Sequence, residues 1–306
     1  MLSTTQKQEI LRMVEDEIAR LGSAAAVAKK CRISETAISQ LRKGVYAAKG
    51  DDIYENIAVA LEFDFGGGRW NVAETHDFRS VYTVLQDAKQ ECLFIGISHK
   101  AGGGKTTPAS VYLENNKAKG AFYLACKEWS GREFLTKLAN EVGADMPKGI
   151  ARKNDLLESV SRSFKNKANL RPLLILDQAN SLRPSALISL IHLYNECEDV
   201  LGCVILGTEN LEQEIKRGVR FNKDGYDELD SRFGRNYIHL RGSSLEDTRK
   251  ICAANGVTDP ATQLAIFQEC TPVQHELDGG KTIKVIEDIR RIKRVVKRER
   301  IKQANV

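Results

Sequence analysis

The sequence predicts an α/β fold built on a five-stranded parallel sheet, preceded by an all-α unit and followed by a small helical lid. Three observations carry that expectation. Short apolar runs alternate with helical periodicity between residues 72 and 240, as strands buried on both faces require. A glycine-rich turn, Gly102-Gly103-Gly104-Lys105-Thr106, follows the first of those runs. Further on, another run ends in an acid: Leu173-Leu174-Ile175-Leu176-Asp177. With 306 residues, 42% hydrophobic and 28% charged, the chain has material for about two buried cores.

Residues 1–64 read as the all-α unit. Ile10, Leu11, Val14, Ile18 and Leu21 recur at helical spacing, and Gly22 closes that helix. Ser23 is placed to cap a second helix, Ala24 to Lys30, and a third runs from Glu35 to Lys43, stopped by Gly44. Small residues at 25, 26 and 28 allow the close crossing of two helices joined by a tight turn. A fourth helix, Asp52 to Leu61, is expected to close the bundle through Ile53, Ile57, Val59 and Ala60. The string Ala26-Val27-Ala28-Lys29-Lys30-Cys31-Arg32-Ile33-Ser34-Glu35-Thr36-Ala37-Ile38-Ser39-Gln40-Leu41-Arg42-Lys43-Gly44 resembles the phage-repressor helix-turn-helix. That likeness implies a DNA-binding domain in which Thr36, Ser39, Gln40 and Lys43 face bases while Ala37, Ile38 and Leu41 pack inward. A helical protein-docking module is the plainer alternative.

Residues 65–71, with Gly66-Gly67-Gly68, read as a linker, and 72–242 as the sheet domain. Its expected strands are Cys92–Ile97, Gly120–Ala125, Leu173–Leu176, Cys203–Gly207 and Asn236–Leu240. The turn after the first strand places Ala101, Gly102, Gly103, Gly104, Lys105, Thr106 and Thr107 around a phosphate-binding loop. Glycines let such a loop curl its amides toward phosphate oxygens, Lys105 supplies a point charge for the β/γ-phosphates, and the Thr106 hydroxyl is a Mg²⁺ ligand. The usual pattern has glycine where this chain has His99.

Asp177 fits the acid that holds Mg²⁺ through its water shell. The next position is ordinarily a glutamate that deprotonates the attacking water, and here it is Gln178. An amide cannot take a proton, and loss of such a base slows hydrolysis by roughly 10²–10⁴-fold, so ATP binding with slow turnover is expected. The glutamine belongs either to a slow natural switch or to a trapping substitution. Glu209 is a weaker substitute base, and Thr208 or Asn210 a polar sensor near the γ-phosphate. In the AAA+ class of ATPases, which this layout resembles, arginines placed like Arg232 and Arg235 reach a neighbouring subunit's nucleotide. Residues 243–306 read as the lid: helices Ser244–Ala254, Pro260–Cys270 and Lys281–Gln303. The last carries a stripe of Ile283, Ile286, Ile289, Ile292 and Val296, and Arg290 or Arg291 is a candidate second sensor.

Charge points to a polyanionic partner. Residues 281–306 hold ten Lys/Arg against three Asp/Glu, leaving the other 280 residues at −2, and Ser23 to Lys49 forms a second basic island. Lys148, Arg152 and Lys153, in the turn Met146–Lys153, are candidate phosphate contacts, with Lys127 and Arg132 after the second strand. No stretch approaches the roughly 20 apolar residues of a membrane span, and no signal-peptide layout opens the chain. The seven cysteines form no CxxC pair and the five histidines no HExxH pattern; reduced core cysteines in a cytoplasmic protein are expected.

The combination of the repressor-like unit, Val72-Ala73-Glu74-Thr75 ahead of the phosphate loop, and Leu176-Asp177-Gln178-Ala179-Asn180 resembles the transposition B proteins of Mu-like phages, over nearly the whole chain. This likeness implies an AAA+ ATPase, encoded by a phage or mobile element and acting in a bacterial cytoplasm. Such proteins use ATP and Mg²⁺ to assemble as a ring or helical filament on double-stranded DNA with little sequence preference. They select target DNA, deliver it to a transposase and activate strand transfer. An ATP-binding helix-turn-helix transcriptional regulator and a helper ATPase of another transposon family are the competing readings.

Overall fold

The computed structural model describes residues 4–21, 23–44, 46, 52–61, 70–146, 152–277 and 280–304. The chain divides into two units, Met1–Trp70 and Asn71–Val306. Among the described residues no helix is long and apolar enough to cross a membrane.

The first unit holds α1 (Thr4–Leu21), α2 (Ala24–Cys31), α3 (Glu35–Arg42) and α4 (Asp52–Ala60). Ser23 and Ser34 cap α2 and α3 by accepting the amides of Ala26 (3.2 Å) and Ala37 (3.1 Å), so each helix starts where its cap supplies an acceptor. Arg32, in the left-handed region at φ +54°, makes the tight turn between them. Ile10, Val14, Val27, Cys31, Ile38, Leu41 and Ile57 form the core. Val59 is not in it: that side chain is 71% exposed and Ala58 is buried in its place. Successive residues on a helix are about 100° apart, so with Ile57 and Ala58 in the core Val59 lies about 200° round from Ile57 and faces away from it.

The second unit begins at Asn71. Asn71 is anchored, its backbone amide donating to the Asn255 side-chain oxygen (2.9 Å). Next come α5 (His76–Gln90), β1 (Phe94–Ser98), α6 (Thr106–Asn116), β2 (Ala121–Ala125), α7 (Gly131–Val142), α8 (Lys153–Lys165), β3 (Leu173–Asp177), α9 (Pro184–Leu187) and α10 (Ser189–Cys197). After them the chain runs through β4 (Gly202–Gly207), α11 (Glu209–Arg220), α12 (Tyr226–Arg232) and β5 (Tyr237–Ile238). The five strands are parallel in the order β2-β3-β4-β1-β5. Alternation along them separates two cores: Leu174, Leu176, Cys203 and Ile205 face one set of helices, and Leu173, Ile175, Val204 and Leu206 the other. Both faces are covered, which explains the continuous apolar runs.

The lid departs from the sequence expectation. After α13 (Leu245–Ala254) and α14 (Pro260–Glu269), the chain forms an antiparallel hairpin of β6 (Val273–Glu276) and β7 (Thr282–Val285), and only then α15 (Ile289–Ala304). The helix expected from Lys281 therefore starts at Ile289. Thr282, Ile283, Val285 and Ile286 are all β-branched and favour a strand, and the Asp288 carboxylate accepts the Arg290 amide (2.9 Å) where the helix opens. The expected stripe splits accordingly. Ile286 is buried through its bridge to Ser243, whereas Ile292, Val295 and Val296 are buried from α15.

Candidate functional site

The C-terminal ends of β1, β3 and β4 gather the candidate nucleotide residues on one rim. β4 lies between β1 and β3, so the loop after β1 and the acid ending β3 flank the strand that carries Thr208 at its exit. The loop is tightly wound: Gly102 and Gly104 have φ of +87° and +85°, conformations that glycine adopts without a Cβ penalty. Lys105 is 8% exposed, and its ammonium donates to the carbonyls of His99 (2.6 Å) and Lys100 (2.9 Å). Burial pushes it down to about 8, against the pull of Asp177 and Glu209 and with the help of Arg290. Residues from β1, β3, α11 and α15 thus share one electrostatic neighbourhood. Ala101, Thr106 and Thr107 are exposed at the mouth and first turn of α6.

Asp177 is 2% exposed with both oxygens engaged. Oδ1 accepts the Gln178 amide (2.8 Å) and Oδ2 the Tyr123 hydroxyl (2.9 Å). Tyr123 sits on β2 opposite Ile175, two residues before Asp177 on the same face of β3. Burial and the neighbouring carboxylate raise its phenol well above the usual range. Gln178 is exposed, in the left-handed region at φ +56°.

Thr208 has a buried hydroxyl with no partner, and its amide donates to the Asn180 side-chain oxygen (3.0 Å). Asn210 and Glu209 are exposed on the first turn of α11. His99, 7% exposed, likewise has an unpartnered Nε2, and burial beside Lys105 lowers its pKa, which favours the neutral ring. Two buried orphan polar atoms, an ammonium satisfied only by its own loop and two left-handed glycines fit a triphosphate. The loop amides and Lys105 would hold the phosphates. Thr106 and Asp177 supply the oxygen donors that suit Mg²⁺, which would neutralise phosphate charge.

The lid reaches this loop directly. The Ile289 amide donates to the Gly102 carbonyl (3.0 Å), and Lys100 pairs with Glu287 (2.8 Å). A side chain at Gly102 would collide with Asp288, and one at Gly104 would stand 2.6 Å from Ile289 Cδ1. Of the two candidate second sensors, Arg290 is the one whose charge acts on Lys105; Arg291 is tied to Thr271 and the Glu269 carbonyl.

The two candidate trans arginines differ. Arg235 is held by Asp227 (2.7 and 3.2 Å), with Asp230 3.8 Å away. Arg232 stacks 4.8 Å from the Tyr194 ring centroid, bonds Glu228 (3.2 Å) and keeps a buried Nε without a partner.

Lys127, Arg132 and Arg152 are exposed and Lys153 half-buried, around the ends of β2 and β3. Gly131 donates to the Ser185 hydroxyl (3.0 Å) and Lys153 reaches the Ser185 carbonyl (3.5 Å), which draws the starts of α7, α8 and α9 together. Arg183, absent from the sequence expectation, joins them through its amide bond to the Trp129 carbonyl (3.1 Å) and is exposed. Lys148 lies outside the described residues. In the first unit Thr36, Gln40 and Lys43 are exposed and Ser39 is partly so, while Ala37, Ile38 and Leu41 are buried. Arg42 is taken up by Glu15 on α1 (2.6 and 2.9 Å).

Strand order, phosphate loop and acid define an AAA+ P-loop ATPase fold. Residues 88–215 match the family model described as AAA domain. No curated protein matches the chain. Among solved structures, Cdc6p from Pyrobaculum aerophilum is similar with TM-score 0.50 and 14% identity, over 66% of this chain. This chain spans 57% of that protein's length. ORC2 from Aeropyrum pernix, an ADPNP-ADP complex, aligns at TM-score 0.43 and 12% identity, over 63% of this chain and 55% of its own. NtrX from Brucella abortus aligns at 0.42 and 16%, over 86% of this chain and 62% of its own.

Proposed function

We propose that the chain is an ATP-dependent, DNA-binding AAA+ protein that oligomerises on duplex DNA, selects target DNA and delivers it to a transposase that it activates. What carries the proposal is the gathering of Lys127, Arg132, Arg152, Lys153 and Arg183 at the ends of β2 and β3, on the rim that also holds the phosphate loop. Contacts of this kind go to phosphate and carry no base information, so binding is sequence-tolerant and falls steeply with salt. The transposase rests on the family likeness of the sequence alone.

ATP and Mg²⁺ are held by Ala101–Thr107 and Asp177, with Thr208 toward the γ-phosphate. Arg232 is the stronger candidate for a trans contact, because the carboxylates of Asp227 and Asp230 already engage Arg235. With Gln178 after Asp177, hydrolysis is slow and nucleotide serves as an assembly signal.

Nuclease footprinting and electron microscopy with and without ATP test the proposal. Broad, ATP-dependent coating of unrelated duplexes is expected. One short protected site that ignores ATP would instead establish a transcriptional regulator, a reading favoured by the outward Thr36, Gln40 and Lys43 of α3.

A further inference from the structure

The end of α11 carries a surface used by neither the nucleotide site nor the cations around Ser185. Phe221, just past the last residue of α11, is 62% exposed. The guanidinium carbons of Arg217 and Arg220 each lie 5.9 Å from its ring centroid, and Lys223 stands two residues beyond. Arg217, Arg220 and Lys223 are all exposed, and among the described residues no carboxylate pairs with any of them. Lys216, in the same stretch, is by contrast tied to Asp230 (3.0 and 2.9 Å).

The turn is fixed. Asn222 takes φ +48°, its amide donates to the Val219 carbonyl (3.0 Å), and the Lys223 amide donates to the Gly218 carbonyl (2.9 Å). Cations at a helix C-terminus are favoured by the helix dipole, which accounts for the arginines. It does not account for a phenylalanine left in water, since burying one gains about 1.5–3 kcal/mol. No other large apolar side chain from α11 through α12 is exposed, so Phe221 is not part of a wider apolar patch that would take peptide side chains. An isolated aromatic platform beside unpaired guanidinium groups suits a nucleic-acid strand: the cations take phosphates and the ring packs on sugar or base.

We propose that the α11–α12 turn is a second nucleic-acid contact, with Arg217, Arg220 and Lys223 on phosphates and Phe221 against the same strand. The inference rests on the DNA-binding reading above but concerns another place. α11 leaves the phosphate-loop rim at the end of β4, and its length of about 18 Å carries Phe221 toward the opposite rim of the sheet.

Fluorescence anisotropy of the full chain with ATP and Mg²⁺ tests it, on a labelled 40-base-pair duplex and one of its strands across a salt series. The triple variant Arg217→Ala/Arg220→Ala/Lys223→Ala is expected to lose about tenfold in duplex affinity. Its slope of log K against log salt should fall in magnitude by about 2.7, at 0.9 per phosphate contact. Phe221→Ala should weaken single-strand binding by about fivefold or more. Both variants alter exposed side chains and should melt with the wild type. Unchanged affinity and slope in a folded triple variant, while the wild type binds, would overturn this surface and leave the DNA reading standing. A triple variant that lost poly-glutamate binding but kept DNA binding would overturn the nucleic-acid assignment. A wild type that bound neither duplex nor strand would bring down both readings.

Discussion

Lys105 couples nucleotide affinity to pH. Burial holds its ammonium down to about 8 in the unliganded chain, so roughly 90% is charged at pH 7 and roughly 10% at pH 9. A bound triphosphate adds negative charge and raises that pKa, so binding takes up a proton once the pH exceeds about 8. Affinity is complete below that value and is lost as pH rises through it, by about tenfold between pH 7 and 9, equal to roughly 1.4 kcal/mol. Stability of the unliganded chain moves oppositely. The native pKa lies below the unfolded value of about 10.4, so Lys105 makes the fold more stable as pH climbs between the two. The assay is titration of a fluorescent ATP analogue at constant ionic strength, run beside Lys105→Arg, whose guanidinium does not titrate in this range. The arginine variant reports every other titration, including the ligand's own. Equal pH slopes in the two proteins would refute the argument.

Three further outcomes are expected. Gln178→Glu should speed single-turnover ATP hydrolysis by roughly 10²–10⁴-fold, and an unchanged rate would mean another base or none. Tyr123→Phe removes the 2.9 Å bond to Asp177 Oδ2 and should cost about 1.5–3 kcal/mol in denaturant unfolding; a loss under 0.5 kcal/mol would show the bond to be incidental. It should also raise the Mg²⁺ concentration needed for half-maximal analogue binding, because Asp177 is left with only the Gln178 amide. Arg232→Ala should lower turnover while sparing ATP affinity, and mixing it with Lys105→Ala, which keeps the arginine, should restore part of the rate. No restoration would remove the trans role.

Legibility in the sequence followed the locality of the signal. All five strands were visible because each is a continuous apolar run, with ends displaced by at most two residues. The capping serine at 23 and the glycine-lysine-threonine turn act within a few residues, and so could be read directly. The hairpin before α15 was hidden because Ile283, Ile286 and Ile289 recur every three residues, a spacing that also suits a helix; the β-branched cluster was the available signal. Tyr123 and Asn180 escaped notice as partners of Asp177 and Thr208 because strand register, not sequence distance, brings them together. Arg183 and Ser185 meet α7 and α8 only in the folded chain.

The bond from Ile289 to the Gly102 carbonyl turns the last helix into a pointer fixed at the loop. α15 has 16 residues, an arm of about 24 Å. The same helix is stapled to α14, where Glu269 takes Arg298 through both carboxylate oxygens (2.9 and 2.5 Å) and offers its carbonyl to Arg291 (2.8 Å), so any shift of the loop at Gly102 is shared by α14 and α15 together.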